Sequence, residues 1–145
     1  MKELEFLKGE FSTSLDLPMA DYIKAGFPSP SQDYMDRTFD LNRDLIEHPE
    51  ATFYAKVSGL SMIEAGIDEG DIWVIDRALE AKNGDIVVAF IDGEFTMKYI
   101  DLSEKRQGRI WLRPANKKFP PFLITPEDEF TVWGVVSRVI KMLRR

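Results

Sequence analysis

The chain has 145 residues, of which 44% are apolar and 30% are charged, and this size and balance predict one folded domain rather than a disordered chain. Its net charge of -6 disfavours a general nucleic-acid-coating role. Cysteine is absent and the only histidine is His48, which excludes disulfides, cysteine nucleophiles and Cys/His zinc sites and fits a reducing, cytoplasmic location.

The amino terminus predicts neither export nor a membrane anchor. Residues 1–11 mix acids and lysines with apolar residues and lack the apolar stretch of a signal peptide. The longest unbroken apolar run, Ile86 to Ile91, is much shorter than the ~20 residues of a membrane-spanning helix. We therefore expect no membrane partner.

Residues 26–34 predict an extended, exposed linker. This stretch contains two prolines, and each proline disfavours helical geometry in the residue before it. A short helix is predicted at Leu41–Glu47, with Asn42 as its N-cap and Pro49 as its stop.

Beyond Thr52 the pattern changes to that of short β-strands, in which apolar and polar residues alternate or apolar residues form short runs. The predicted strands are residues 52–57, Ile72–Ile75, Ile86–Ile91, Phe95–Ile100, Arg109–Arg113, Phe122–Ile124 and Phe130–Met142. The pair Asp92-Gly93 predicts a tight hairpin, because both residues tolerate positive φ. Some seven strands in about 95 residues predict a mainly β fold, either a compact antiparallel barrel or a sandwich.

The common cofactor and metal motifs are missing from the sequence. There is no Gly-Lys pair for a phosphate loop, no GxGxxG for a dinucleotide and no DxDxDG for calcium, so neither a cofactor nor a metal ion is expected. A serine–histidine triad would have to use His48. This residue lies at the predicted helix end, where the helix dipole by itself favours histidine.

A serine at the start of a predicted helical turn is the first candidate for chemistry. Residues 57–64 read Val-Ser-Gly-Leu-Ser-Met-Ile-Glu and pass from a strand into a turn that is predicted to begin at Ser61. One interpretation is structural, since Ser61 and Glu64 have the spacing of a capping box. The other is catalytic, because a serine on such a turn is exposed and nearby amides point toward a developing oxyanion.

A catalytic Ser61 needs a base, and Lys98 is the candidate. A lysine can act as a base when burial removes the solvation that favours its charged form. Strand alternation places Lys98 on the face shared by Thr96 and Ile100, where apolar neighbours can shield it. The alternative is that Lys98 is an exposed lysine of a hairpin strand.

Several spaced motifs occur along the chain in the order of a known family. They are Ala25-Gly26-Phe27-Pro28-Ser29-Pro30, Ser58-Gly59-Leu60-Ser61-Met62, Gly66-Ile67, Gly70-Asp71, Asn83-Gly84-Asp85-Ile86-Val87 and Asp92-Gly93-Glu94-Phe95-Thr96-Met97-Lys98. With these motifs, about residues 20–145 resemble the LexA-type self-cleaving serine peptidases. Within that family the chain is similar to the UmuD proteins of the bacterial DNA-damage (SOS) response.

The resemblance implies a LexA/signal-peptidase-like β fold and a set of site residues. Ser61 is then the nucleophile, Lys98 the general base, and the bond between Ala25 and Gly26 the scissile bond. The backbone amides of Leu60 and Ser61 are the candidates for the oxyanion hole. UmuD proteins often have an acidic residue where this chain has Leu60, a difference that leaves the amide donor unchanged.

The resemblance also implies a division of the chain: a removable arm of residues 1–25, a linker with a short helix at 26–50, and a β-rich peptidase domain at 51–145. The arm is interrupted by Gly9 and Pro18 and is too short for the DNA-binding domain of LexA-type repressors, so direct sequence-specific DNA binding is not expected. The implied partners are a second copy in a homodimer, a RecA filament on single-stranded DNA that stimulates cleavage, and a UmuC-type translesion DNA polymerase.

Two other functions are compatible with the sequence. The first is a non-cleaving regulatory subunit that binds the polymerase or the filament, in which the serine only caps a helix. An intact chain under every activating condition, with undiminished partner binding, would favour it. The second is a LexA-like repressor, which sequence-specific binding to a promoter duplex would support.

Overall fold

A computed structural model describes residues 4–9, 16–19, 37–57, 59 and 61–144. The chain forms two compact units, one of Met1–Gly9 with Ala51–Arg145 and the other of Glu10–Glu50. The predicted linker at residues 26–34 lies outside the described residues. Within the described residues, no helix is long and apolar enough to cross a membrane.

The unit of Glu10–Glu50 contains two short antiparallel strands and a helix. Strand β2 (Asp16–Met19) pairs with β3 (Arg37–Asp40), and helix α1 (Leu41–Leu45) follows directly. The predicted N-cap was wrong: the cap is Asp40, whose carboxylate accepts hydrogen bonds from the amides of Asn42 and Arg43. Asn42 lies two residues too late, as the second residue of the helix, whereas the cap directly precedes the first helical residue, Leu41. The helix also ends earlier than predicted.

The other unit is built on one eight-stranded antiparallel sheet with the order β1-β4-β5-β10-β6-β7-β8-β9. Its strands are β1 (Leu4–Lys8), β4 (Thr52–Val57), β5 (Ile72–Asp76), β6 (Ile86–Ile91), β7 (Glu94–Asp101), β8 (Ile110–Arg113), β9 (Phe122–Ile124) and β10 (Phe130–Ile140). Short 3-10 helices occur at Pro49–Ala51, Ile63–Ala65 and Lys105–Gln107. The predicted mainly β, antiparallel fold is confirmed.

The hairpin between β6 and β7 has the predicted two-residue turn. Asp92 and Gly93 have φ angles of 48° and 88°, and Ile91 pairs with Glu94 across the turn. Two consecutive positive φ angles are the geometry of the turn that matches the twist of the flanking strands. This hairpin fixes the register of β7 and therefore the face on which Lys98 lies.

Apolar side chains fill both faces of the sheet, so the central strands are apolar without alternation. Val88 packs in one buried cluster with Trp73 and Met97, whereas its neighbours on β6 pack in a second cluster with Leu112 and Val135. A strand buried on both faces shows a continuous apolar run. This explains the unbroken run of Ile86–Ile91 in the sequence.

Two structural features of this unit were not predicted. Strand β1 pairs with β4 and so joins the sheet, although it belongs to the segment that was described as an arm. Gly134 lies on β10 beside an irregularity in the pairing with β6, and it is packed directly against β5. The division of the chain at residues 25 and 50 stays a prediction.

Candidate active site

Ser61 lies in a turn after β4, and it is partly exposed. The turn continues into the 3-10 helix Ile63–Ala65, which Gly66 ends in the left-handed conformation with a φ of 78°. The amides of Ala65 and Ile67 both donate to the carbonyl of Met62, at 3.1 and 3.4 Å. These backbone bonds hold the residue after Ser61 in one conformation.

The structural interpretation, in which Ser61 and Glu64 form a capping box, does not match the structure. The residue at the N-cap is Met62, which makes no side-chain cap hydrogen bond. The Glu64 carboxylate instead accepts a hydrogen bond from the Lys117 amide at 2.9 Å. The 3-10 helix has a single turn, and its start lies beyond Ser61, so the Ser61 hydroxyl does not serve the helix.

Ser61 and Lys98 meet although 37 residues separate them in the sequence. The Lys98 amine Nζ lies 3.1 Å from the Ser61 hydroxyl Oγ, and both residues are only partly exposed. This distance is within the range expected for a nucleophile and its general base. Lys98 is therefore not the freely exposed lysine of the alternative interpretation.

Two further acceptors orient the Lys98 amine. Its Nζ donates to the Thr96 hydroxyl at 2.8 Å and to the Met97 carbonyl at 3.0 Å. Thr96 lies on the same strand face as Lys98, since the two residues are two positions apart on β7. Strand alternation predicted Thr96 on this face but indicated no role for it. Its spacing of two residues from Lys98 was the only signal in the sequence.

Buried methionines fix the backbone beside both reactive side chains. Met62 follows Ser61, Met97 precedes Lys98, and both belong to the buried cluster that contains Ala55 and Trp73. They are 3% and 2% exposed. Because well-packed side chains resist displacement, the cluster limits relative movement of the turn and β7.

A second segment holds the turn from its other side. The Glu64 amide donates to the Ala115 carbonyl at 2.7 Å, while the Glu64 carboxylate accepts from the Lys117 amide. Residues 115–117 follow β8, so this pair of bonds ties the turn to the loop between β8 and β9. This role of Glu64 was not predictable from the sequence, because its partners are about fifty residues away and form no motif with it.

Some predicted site residues lie outside the described part of the chain. These are Ala25 and Gly26 at the predicted scissile bond and Leu60 of the predicted oxyanion hole. The structure thus brings together Ser61 and Lys98, with Thr96 beside them.

Comparison with known proteins gives a consistent set of relatives. Residues 18–137 match the Peptidase S24-like family. The chain is 45% identical to the MucA protein of Salmonella typhimurium over 116 residues, which cover 79% of this chain and 77% of MucA. It is 43% identical to the ImpA protein of Shigella flexneri over 125 residues, covering 86% and 83% of the two chains. It is also 35% identical to LexA repressor 1 of Geobacter sulfurreducens over 138 residues, covering 94% and 66%.

Proposed function

The chain belongs to the Peptidase S24-like family, and we propose that it cuts itself between Ala25 and Gly26 with Ser61 as nucleophile and Lys98 as general base. Membership confirms the family predicted from the motifs, with UmuD-type SOS mutagenesis proteins among the relatives. The observation that carries the proposal is the 3.1 Å distance between the Ser61 hydroxyl and the Lys98 amine.

The proposed reaction begins with acyl transfer to Ser61. The neutral Lys98 amine takes the hydroxyl proton while Oγ attacks the carbonyl carbon of Ala25. The oxyanion that forms is stabilised by the amides of Leu60 and Ser61. The bond to Gly26 then breaks, and Lys98 gives the proton to the departing amine of Gly26. This leaves an ester between Ala25 and Ser61.

Hydrolysis of the ester completes the cut. Lys98 takes a proton from a water molecule, whose oxygen attacks the ester carbonyl. Collapse of the second tetrahedral intermediate returns the proton to Ser61 and releases residues 1–25 with a terminal carboxylate. The net change is the addition of one water across one peptide bond.

The cleavage rate is expected to rise with pH. Only a neutral amine can accept the Ser61 proton, so the rate rises about tenfold per pH unit while most Lys98 is protonated. The rate is measured from intact masses at intervals from about pH 7 to about pH 10, with circular dichroism as a check that the fold persists. A flat profile over this range would argue against lysine as the base.

Glu64 is expected to position the nucleophile through its contacts with residues 115–117. Glu64→Ala removes an acceptor for the Lys117 amide. A hydrogen bond worth about 0.5–1.5 kcal/mol predicts cleavage slower by about 2- to 12-fold, if its loss is fully expressed in the rate. Glu80→Ala, which changes an exposed glutamate in another loop, is the matched control. Equal cleavage rates for the two variants would show that Glu64 does not position the nucleophile.

The cleaved protein is proposed to serve DNA-damage-induced mutagenesis. On this proposal a RecA filament on single-stranded DNA stimulates the cut, and the processed homodimer joins a UmuC-type translesion polymerase. Family membership and the resemblance to UmuD proteins support it. The test is cleavage with and without RecA, nucleotide and single-stranded DNA. No acceleration by the complete filament would contradict the stimulation step.

A further inference from the structure

The main sheet ends on one side at β1, which covers β4. The two strands pair antiparallel, with Leu4 opposite Val57, Phe6 opposite Ala55 and Lys8 opposite Phe53. On its other side β4 pairs with β5. Without β1, the backbone amides and carbonyls of β4 that face away from β5 would form the edge of the sheet.

The two ends of the sheet are built differently. The far end is β9, which has only three residues and follows Pro120 and Pro121. Short length and neighbouring prolines are features that keep an edge strand from pairing with other chains. Strand β4 has six residues, no proline and the sequence Thr-Phe-Tyr-Ala-Lys-Val, which favours strand pairing. The edge of β4 would therefore pair readily with other chains if it were unpaired, and β1 occupies it.

Strand β1 lies within the segment that self-cleavage would detach. We propose that cleavage frees the β4 edge to pair with an extended segment of a partner protein, and that β1 is its built-in competitor. This inference rests on the proposed cut between Ala25 and Gly26. While β1 is part of the chain its effective concentration is high, on the order of millimolar. A detached β1 competes only at the concentration of free peptide.

The resident strand indicates the chemistry of the partner segment. Strand β1 reads Leu-Glu-Phe-Leu-Lys, and its Glu5 lies opposite Lys56, which is exposed on β4. Its Phe6 is opposite Ala55, which is fully buried on β4. The fitting partner is an extended segment with apolar residues opposite Val57 and Ala55 and an acidic residue opposite Lys56. It runs antiparallel to β4, with backbone hydrogen bonds supplying much of the affinity.

The cover can be tested without cleavage. In the uncleavable Ser61→Ala chain, Phe6→Pro removes a backbone donor from β1 and disrupts its pairing. Alternate amides of β4 face β1 and β5, so the β5-facing amides are an internal control. We expect hydrogen exchange at least about tenfold faster at the β1-facing amides and unchanged at the others. Gly9→Pro, just after β1, is the control variant. Unchanged exchange in the Phe6→Pro chain would show that β1 does not protect the edge of β4.

The partner segment can be tested with a peptide of residues 1–12. At concentrations up to about 1 mM, nuclear magnetic resonance shifts in β4 should report binding to the cleaved protein after removal of fragment 1–25. The uncleaved Ser61→Ala chain should not respond, since its own β1 occupies the edge. A peptide carrying Phe6→Pro should not bind. Equal binding to both proteins, or binding to neither, would overturn the proposal. Protection of the β4 edge that rises with protein concentration would also overturn it, because the occupant would then be a second copy.

The two proposals can fail separately. Intact mass shows whether the chain is cut, whereas exchange in the Phe6→Pro chain needs no cut. Faster exchange at β4 in a protein that never cleaves would contradict only the proposed function. Cleavage and loss of fragment 1–25 with no change in hydrogen exchange at β4 would contradict only the proposal that cleavage frees the β4 edge.

Discussion

Replacing Lys98 with methionine is expected to slow self-cleavage by about 10² to 10⁴-fold, the range that a positioned general base supplies. Methionine keeps an unbranched side chain of similar size but cannot accept the Ser61 proton. The Nζ contacts with Ser61 and Thr96 are lost together. The measurement is the fraction of intact chain over time at alkaline pH.

A matched variant separates loss of the base from loss of a charge. Lys82 lies in an exposed loop before β6, and Lys82→Met removes one positive charge there. This variant should cleave at the wild-type rate. Cleavage of the Lys98→Met protein within about threefold of wild type would exclude Lys98 as the base, since that loss is far below the expected range.

A single added methyl group at Gly134 is expected to destabilise the fold. A Cβ at this position would lie 2.6 Å from Cγ2 of Ile75, which is fully buried on the neighbouring strand. Such overpacking costs about 1–3 kcal/mol because the core has little room to adjust. Gly134→Ala should therefore lower the free energy of unfolding by this amount, as measured by denaturant titration.

Two further variants test the cause of that loss. Thr131→Ala changes an exposed residue of the same strand and should leave stability nearly unchanged. Ile75→Ala removes the atom that the new Cβ would meet. In that background Gly134→Ala should lower the free energy of unfolding much less, because the effects of substitutions at two residues in contact are not additive. An equal cost in both backgrounds would show that steric contact with Ile75 is not the cause.

Local signals in the sequence predicted much of the sheet. The bounds of Ile86–Ile91 and Phe122–Ile124 match the predicted ones, and the Asp92-Gly93 turn is where its residue types require it. These features depend on neighbouring residues and on backbone conformations that few residue types accept. Information of this kind is present in the sequence itself.

Long-range pairing was not predictable in the same way. Strand β1 is five residues long, and its partner β4 begins more than forty residues later in the chain. No turn motif joins them, so the pattern of Leu4–Lys8 alone does not identify a strand. The N-cap of α1 was predicted at the wrong residue for a different reason. Asp40 and Asn42 are both good capping residues, and only the backbone conformation decides between them.

The candidate site shows the same distinction. The strand alternation that placed Lys98 and Thr96 on one face agrees with the contacts of the Lys98 amine. The choice between a capping and a catalytic Ser61 could not be made from spacing, because both interpretations place Ser61 at the start of the same turn. It depends on where β7 lies relative to the turn, and the contacts of Glu64 depend on the segment after β8.

Ser61 is proposed to cut this chain between Ala25 and Gly26. The most direct measurement is the intact mass of the purified wild-type and Ser61→Ala proteins over time at alkaline pH, and with RecA, nucleotide and single-stranded DNA. We predict that only the wild-type protein gives two fragments, residues 1–25 and residues 26–145. An intact wild-type chain under all these conditions, or the same cut in the Ser61→Ala protein, would contradict the role proposed for Ser61.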